Sequence, residues 1–296
     1  MRFPMPHIVT DHVIVQGMRI AYGVHGAGEP VVLLHGTPSA SLIWRNVMPR
    51  LVEAGYQVHV FDLLGYGHSE RPWDPAVDTS ISGQVPILEG MLAHWGLDSV
   101  HLVAHDFGGG IAQRFAVFFP ERLRSLTLID TVSFDSYPSP RTREQMAAGL
   151  DTLTRMPDAE HRAHFRDWLL GAVYHQERFA SETLETYLGL ISGPIGQASL
   201  FQHQIAHYDP KHTLEVAPRL AELATIPVQI LWGENDAWQQ VDWAHKLHAA
   251  IPGSVLHLIP ECGHFAMEDQ PDAISRLIGR FLTERGAEFT RGEKLQ

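Results

Sequence analysis

Six short, nearly continuous apolar runs constrain this chain most: Val31 to Leu34, Val58 to Phe61, Val100 to Ala104, Leu126 to Ile129, Val228 to Trp232 and Val255 to Ile259. A strand with one face in water alternates polar and apolar residues, so runs without alternation belong to strands covered on both faces. Between them lie stretches with helical spacing, among them Gly109 to Phe119 and Ala273 to Leu282. Strands alternating with helices imply a mostly parallel sheet inside an α/β sandwich. The start differs: His12 to Val15 and Met18 to Val24 alternate apolar and polar residues around Gly17, which predicts an antiparallel hairpin.

The rhythm breaks between about Ser133 and Leu223. That stretch has no convincing strand, several amphipathic helical segments, and breaks at Tyr137-Pro138, Pro157, Ser192-Gly193-Pro194 and Asp209-Pro210. It reads as a helical insertion over the C-terminal edge of the sheet, where open α/β folds bind ligands. The expected division is a core of residues 1–132 and 224–296 and a helical cap of residues 133–223. The charged tail after Arg285 is expected to fray.

With 296 residues, 45% apolar and 19% charged, the chain can bury one large core. Twenty-two basic residues against 34 acidic ones leave a net charge of -12, which repels phosphate backbones and anionic lipid headgroups. Nucleic acid and membrane surfaces are therefore not expected partners, and a small apolar molecule is. Cys262 is the single cysteine, so neither an intrachain disulfide nor a cysteine zinc site can form. A reducing cytoplasm suits it. The first fifteen residues lack a basic start followed by an apolar stretch, and no window is long enough to span a bilayer. The chain reads as soluble and unprocessed, and its oligomeric state, monomer or homodimer, stays open.

Chemistry concentrates at turns after strands. Val100 to Ala104 leads into His105-Asp106-Phe107-Gly108-Gly109 and a helix. A sharp strand-to-helix elbow strains its central residue and needs small residues two positions to either side, here Ala104 and Gly108. Such elbows commonly centre on serine; this one centres on Asp106. Taken alone, Asp106 could equally be a helix cap. His35-Gly36-Thr37-Pro38 follows the first apolar run, and its Thr37 amide could stand beside that of Phe107 as an oxyanion hole, although a plain Gly-Pro turn would read the same. Glu261-Cys262-Gly263-His264-Phe265 follows the last run, and position in the strand order is what separates His264 from the other histidines.

HGTP at 35–38, DLLGYGHSERP at 62–72, VAHDFGG at 103–109, LWGENDAW at 231–238 and GHFAMEDQP at 263–271 together resemble the α/β-hydrolase superfamily, and within it the branch of epoxide hydrolases and haloalkane dehalogenases. The resemblance spans nearly the whole core and implies an α/β-hydrolase fold with the order nucleophile, acid, histidine. It makes Asp106 the nucleophile, His264 the base and Asp236 the orienting acid. Asp62 would brace its loop, and Asp130, after the Leu126–Ile129 run, is the second candidate for the acid. Epoxide opening in the resembling family uses lid tyrosines as proton donors; Tyr208 is well placed for one, with Tyr174, Tyr187 and His207 as possibilities for the other. His35, Trp168, Tyr174, His207 and Tyr208 are the candidate substrate-binding residues.

An aspartate nucleophile dictates its own chemistry. With a reference pKa of about 3.9 it is ionised at neutral pH without a base. Attack on an acyl carbon would give a mixed anhydride, whereas attack on a saturated carbon gives an ordinary ester. The fitting substrates carry a strained ring oxygen or a leaving group such as halide. Haloalkane dehalogenases commonly hold the halide with a tryptophan after the nucleophile and, in many, an asparagine after His-Gly; here those positions are Phe107 and Thr37. Fluoroacetate dehalogenases carry arginine where Phe107 stands. Epoxide hydrolysis is thus favoured, with haloalkane dehalogenation, an esterase or lactonase, and a non-catalytic ligand binder as the other readings. No cofactor or metal is implied, since no phosphate-cradling glycine motif follows a strand and the His203/His207 pair lacks an acidic third ligand.

Overall fold

A computed structural model describes residues 8–292, with side chains through Glu284. Eight strands form one sheet in the order β1-β2-β4-β3-β5-β6-β7-β8. The strands are β1 Asp11–Val15, β2 Met18–His25, β3 Glu29–Leu34, β4 Tyr56–Phe61, β5 Val100–His105, β6 Leu123–Ile129, β7 Val228–Gly233 and β8 Val255–Ile259. β3 through β8 run parallel, and β1 and β2 join antiparallel at one edge. The hairpin turn is Gln16-Gly17, both at positive φ (52° and 79°), the backbone that matches strand twist in a two-residue turn.

Burial follows the sheet's layers. β5 and β7 are buried at every residue, as their unbroken apolar runs require. β8 differs from the expectation of a strand covered on both faces: it is the edge strand, and Val255 is exposed. Helices including Ile81–Trp95 and Phe107–Phe118 pack around a core holding Leu34, Phe61, Leu102, Ile111, Phe115 and Ile230. A second core, around Leu33, Trp44, Val103 and Leu231, continues into Phe165, Leu169, Tyr187 and Phe201 from the segment between β6 and β7. That segment is helical, with Pro140–Ala148, Asp158–Leu170, Gln176–Glu182 and Leu184–Ile191 among its helices. The last helix, Pro271–Gly292, runs past Arg285, so the tail expected to fray is helical as far as Gly292. The rest of the tail, and the first seven residues, lie outside the described residues. No described helix is long and apolar enough to cross a membrane.

Parallel strands that share one direction place all their C-terminal ends on one edge. β5, β6, β7 and β8 therefore deliver Asp106, Asp130, Asp236 and His264 to a common edge although the sequence spreads them over more than half the chain.

Candidate active site

Asp106 stands at the tip of the turn from β5 into the helix Phe107–Phe118 with φ 50° and ψ -121°. A non-glycine residue held at positive φ costs free energy, and the surroundings hold it there. Its amide reaches Ile129 O (3.2 Å), and its carbonyl accepts from the Gly109 and Val132 amides (2.9 and 3.2 Å). The neighbours leave no room for larger side chains: a Cβ on Gly108 would meet His35 O at 2.3 Å, and one on Gly36 would meet Asp106 Oδ2 at 2.4 Å.

The carboxylate of Asp106 is divided between two partners. Oδ2 accepts the Thr37 amide at 2.7 Å, and the Phe107 amide faces the same group. Oδ1 lies 3.4 Å from His264 Nε2. Burial opposes ionisation of Asp106, but the His264 contact and charge, with the Phe107 amide, outweigh it and hold the carboxyl below its usual range. Behind the imidazole, His264 Nδ1 bonds Asp236 Oδ2 at 2.8 Å, and Asp236 Oδ1 accepts the Trp238 and Gln239 amides at 2.8 Å each. Burial works against a charged His264, yet Asp236 and Asp106 on its two nitrogens hold it well above an ordinary imidazole. His105 donates Nε2–H to His264 O at 2.9 Å and is itself kept neutral by burial and the adjacent imidazole, at about 3.

A cavity of about 700 Å³ opens onto Asp106. Thr37, Phe107, Tyr137, Trp168, Tyr208 and Trp238 are among its walls. Tyr208 stacks on Phe107 at 5.6 Å, and its hydroxyl meets the Thr37 side chain. Thr37 Oγ1 also bonds Tyr66 Oη at 2.8 Å. Burial, with Tyr66 and Asp106 nearby, pushes the Tyr208 phenol well up, so it stays protonated. Trp168 stacks on Trp238 at 4.4 Å, and Trp238 in turn lies 5.0 Å from the His264 ring.

The structure thus brings Asp106, Asp236, His264, Thr37, Phe107, Trp168 and Tyr208 together. Three residues expected to touch substrate are placed elsewhere. Tyr174 is 45% exposed and is not among the cavity's lining residues; its amide donates to Asp269. His207 turns away to Pro75 O at 3.1 Å. His35 is buried and braces loops: Nδ1 donates to Gly36 O and Nε2 accepts the Leu63 amide. Tyr187, too, points elsewhere, donating to Glu268 Oε1 at 2.7 Å. Asp62 holds the Ser41 and His68 amides at 2.8 and 2.7 Å, which ties its loop down. Sequence reasoning missed Tyr66, Tyr137 and Trp238. Tyr66 and Trp238 sit inside the DLLGYGHS and LWGENDAW segments, but composition gives no sign that Tyr66 holds the Thr37 side chain or that Trp238 faces the cavity.

An anion clamped by amides, a histidine on its other oxygen and a phenol across a partly apolar cavity make a site that can open a polar bond and then activate water. The family model for the alpha/beta hydrolase fold matches residues 29–271. Among curated proteins, the chain is 27% identical to a cis-3-alkyl-4-alkyloxetan-2-one decarboxylase of Shewanella oneidensis, over 90% of this chain and 86% of that protein. It is 30% identical to a 2-hydroxy-6-oxononadienedioate/2-hydroxy-6-oxononatrienedioate hydrolase of Klebsiella pneumoniae, over 86% of this chain and 87% of that one. Among solved structures, the epoxide hydrolase CorEH without ligand superposes with a TM-score of 0.77 at 25% identity, covering 93% of this chain and 98% of that one.

Proposed function

The chain belongs to the alpha/beta hydrolase fold family, and from that premise we propose that it hydrolyses strained cyclic ethers, epoxides first, through an ester on Asp106. The observation that carries the reading is the division of the Asp106 carboxylate, with Oδ2 on the Thr37 amide and Oδ1 against His264 Nε2. An ionised carboxylate stands where it can attack without help, and the amides already hold one of its oxygens.

In the first step Oδ1 attacks a ring carbon, the ring C–O bond breaks, and the ring oxygen takes the proton of Tyr208. Thr37 Oγ1 assists by hydrogen bonding to the phenolate left behind. In the second step His264 Nε2 removes a proton from water, which attacks the carbonyl carbon of the ester. Oδ2 becomes the oxyanion, held by the Thr37 and Phe107 amides; collapse returns Asp106 and releases a diol. Between the steps the proton that His264 carries in the free protein returns to the Tyr208 phenolate, leaving the imidazole neutral, and the proton then taken from water restores the charged His264. Asp236 orients the imidazole and stabilises its charged form. Residues 133–223 act as the cap, contributing Tyr137, Trp168 and Tyr208 to the cavity.

Halide release fits less well. Phe107 and Thr37 offer no side-chain N–H, and two of the three indoles of the cavity, Trp168 and Trp238, stack on each other. The oxetan-2-one named for the Shewanella relative is also a strained ring with oxygen on saturated carbon, so β-lactones belong in the substrate panel. The test is a panel of terminal and internal epoxides, β-lactones, haloalkanes and p-nitrophenyl esters, with diol, halide and phenol followed separately. Diol formation that is lost in Asp106→Ala supports the reading, and Tyr208→Phe should then lower kcat on epoxides by about 10²-fold. Rapid p-nitrophenyl ester cleavage surviving in Asp106→Ala would overturn it.

A further inference from the structure

Asp130 is a fully buried carboxyl that the mechanism above leaves unused. It follows β6 at φ 43°, and its amide donates to Leu231 O at 3.1 Å, which sets it beside the end of β7. Oδ1 accepts the Gly233 amide at 2.8 Å, in the turn that carries Asp236. Oδ2 is buried with no donor near it and faces the carboxylate of Asp236. A buried acceptor without a donor costs on the order of 1–3 kcal/mol, and two ionised carboxylates in contact cost more.

A single proton removes both penalties. A carboxylate accepts at about four sites. Three on Asp236 are filled by the Trp238 and Gln239 amides and by His264 Nδ1. The charges point the same way: Asp106, Asp130 and Asp236 face one imidazolium, His264, while the neighbouring His105 is neutral and the Cys262 thiol is held protonated by burial. We propose that Asp130 is a protonated carboxylic acid that donates to Asp236, so that the acid behind His264 is a pair of carboxyls sharing one negative charge.

The consequence, which rests on the hydrolytic reading above, concerns the strength of the base. A donor on Asp236 disperses its charge and weakens its hold on the imidazole proton. His264 then gives up that proton at lower pH than it would beside a lone aspartate. Asp130 is thus a positioning residue that acts through Asp236 without touching substrate.

Two measurements on the full-length protein test this. Carboxyl ¹³C spectra of protein labelled at aspartate should show one aspartate still protonated at neutral pH, a signal that disappears in Asp130→Asn. The apparent pKa of His264, followed by imidazole ¹⁵N shifts, should rise by about one unit in Asp130→Leu, which keeps the branched shape but not the donor. In Asp130→Asn, whose amide can donate to Asp236 and accept from Gly233, it should stay near the wild-type value. No protonated aspartate at neutral pH, or an equal His264 pKa in the Leu and wild-type proteins, would overturn the proposal. Should the Leu variant fail to fold, the carboxyl spectrum of the wild type still decides. Neither readout needs a substrate, so an absence of epoxide turnover would defeat the hydrolytic reading and leave this one standing.

Discussion

At the scale of single residues, the site turns on how two carboxylates share one imidazole. His264 in the free protein is held well above an ordinary imidazole because Asp236 and Asp106 both bind it, against the opposing effect of burial. A charged His264 cannot accept a proton from water, but it suits the first step by stabilising ionised Asp106. Esterification removes the Asp106 charge, and with it one of the two attractions that hold the proton on His264. In the proposed intermediate the imidazole pKa should therefore fall, so that the histidine would become a base only once there is an ester to hydrolyse. The rate of ester hydrolysis should drop on the acid side with a midpoint below the His264 pKa measured by NMR in the free protein. Equal midpoints would mean that Asp106 does not lose its charge during turnover. The positions of Asp106 and His264 were legible because each stands one turn beyond an apolar run. The inward or outward aim of a side chain was not: His35 lies in the motif next to the site yet braces Leu63, and nothing local in the sequence indicates a neutral Asp130, since that depends on burial beside Asp236.

At the scale of elements, strands were the clearest signal, because a strand covered on both faces must be apolar at consecutive positions. β8 departs from that logic as an edge strand, exposed at Val255 and buried only at Ile259, which its Val and Leu content does not reveal. What sequence periodicity could not reveal is how the elements are tied together. Arg45, just after the short helix Ser41–Trp44, bonds Glu268 with Nη2 to Oε2 at 2.7 Å, and Tyr187 of the helix Leu184–Ile191 donates to the same carboxylate. Arg45 and Glu268 side chains are only 9% and 6% exposed. Next to Glu268, Asp269 accepts the Gly263 amide at 2.8 Å and the Tyr174 and His175 amides at 2.7 and 2.9 Å, so the loop bearing His264 is fastened to the segment between β6 and β7. Removing one partner of a buried pair strands the other charge. Glu268→Gln should cost about 3–5 kcal/mol in urea unfolding. A loss below about 1 kcal/mol, as for a surface pair, would show that solvent reaches Arg45.

At the scale of the whole molecule, the site is assembled from distant pieces of chain. The sheet supplies Asp106, Asp236 and His264 from three strand ends, and the segment between β6 and β7 supplies Tyr137, Trp168 and Tyr208 to the cavity wall. That helices fill this segment could be read from its spacing and its proline breaks. Which of its aromatics face inward could not, because Tyr174 and Tyr208 both lie in links between helices, and only the paths of those links separate them. The central claim, that the reaction passes through a covalent bond to Asp106, is also a property of the whole molecule, since the intermediate changes its mass. On the proposed mechanism, His264→Gln should leave the first step intact and stop the second. Intact-mass measurement after incubating this variant with an epoxide should show the protein heavier by the mass of one substrate, with the addition on the peptide that carries Asp106. An unchanged mass, together with ¹⁸O from water appearing in the product of the wild type's first turnover under excess enzyme, would contradict the account and make Asp106 a base acting on water.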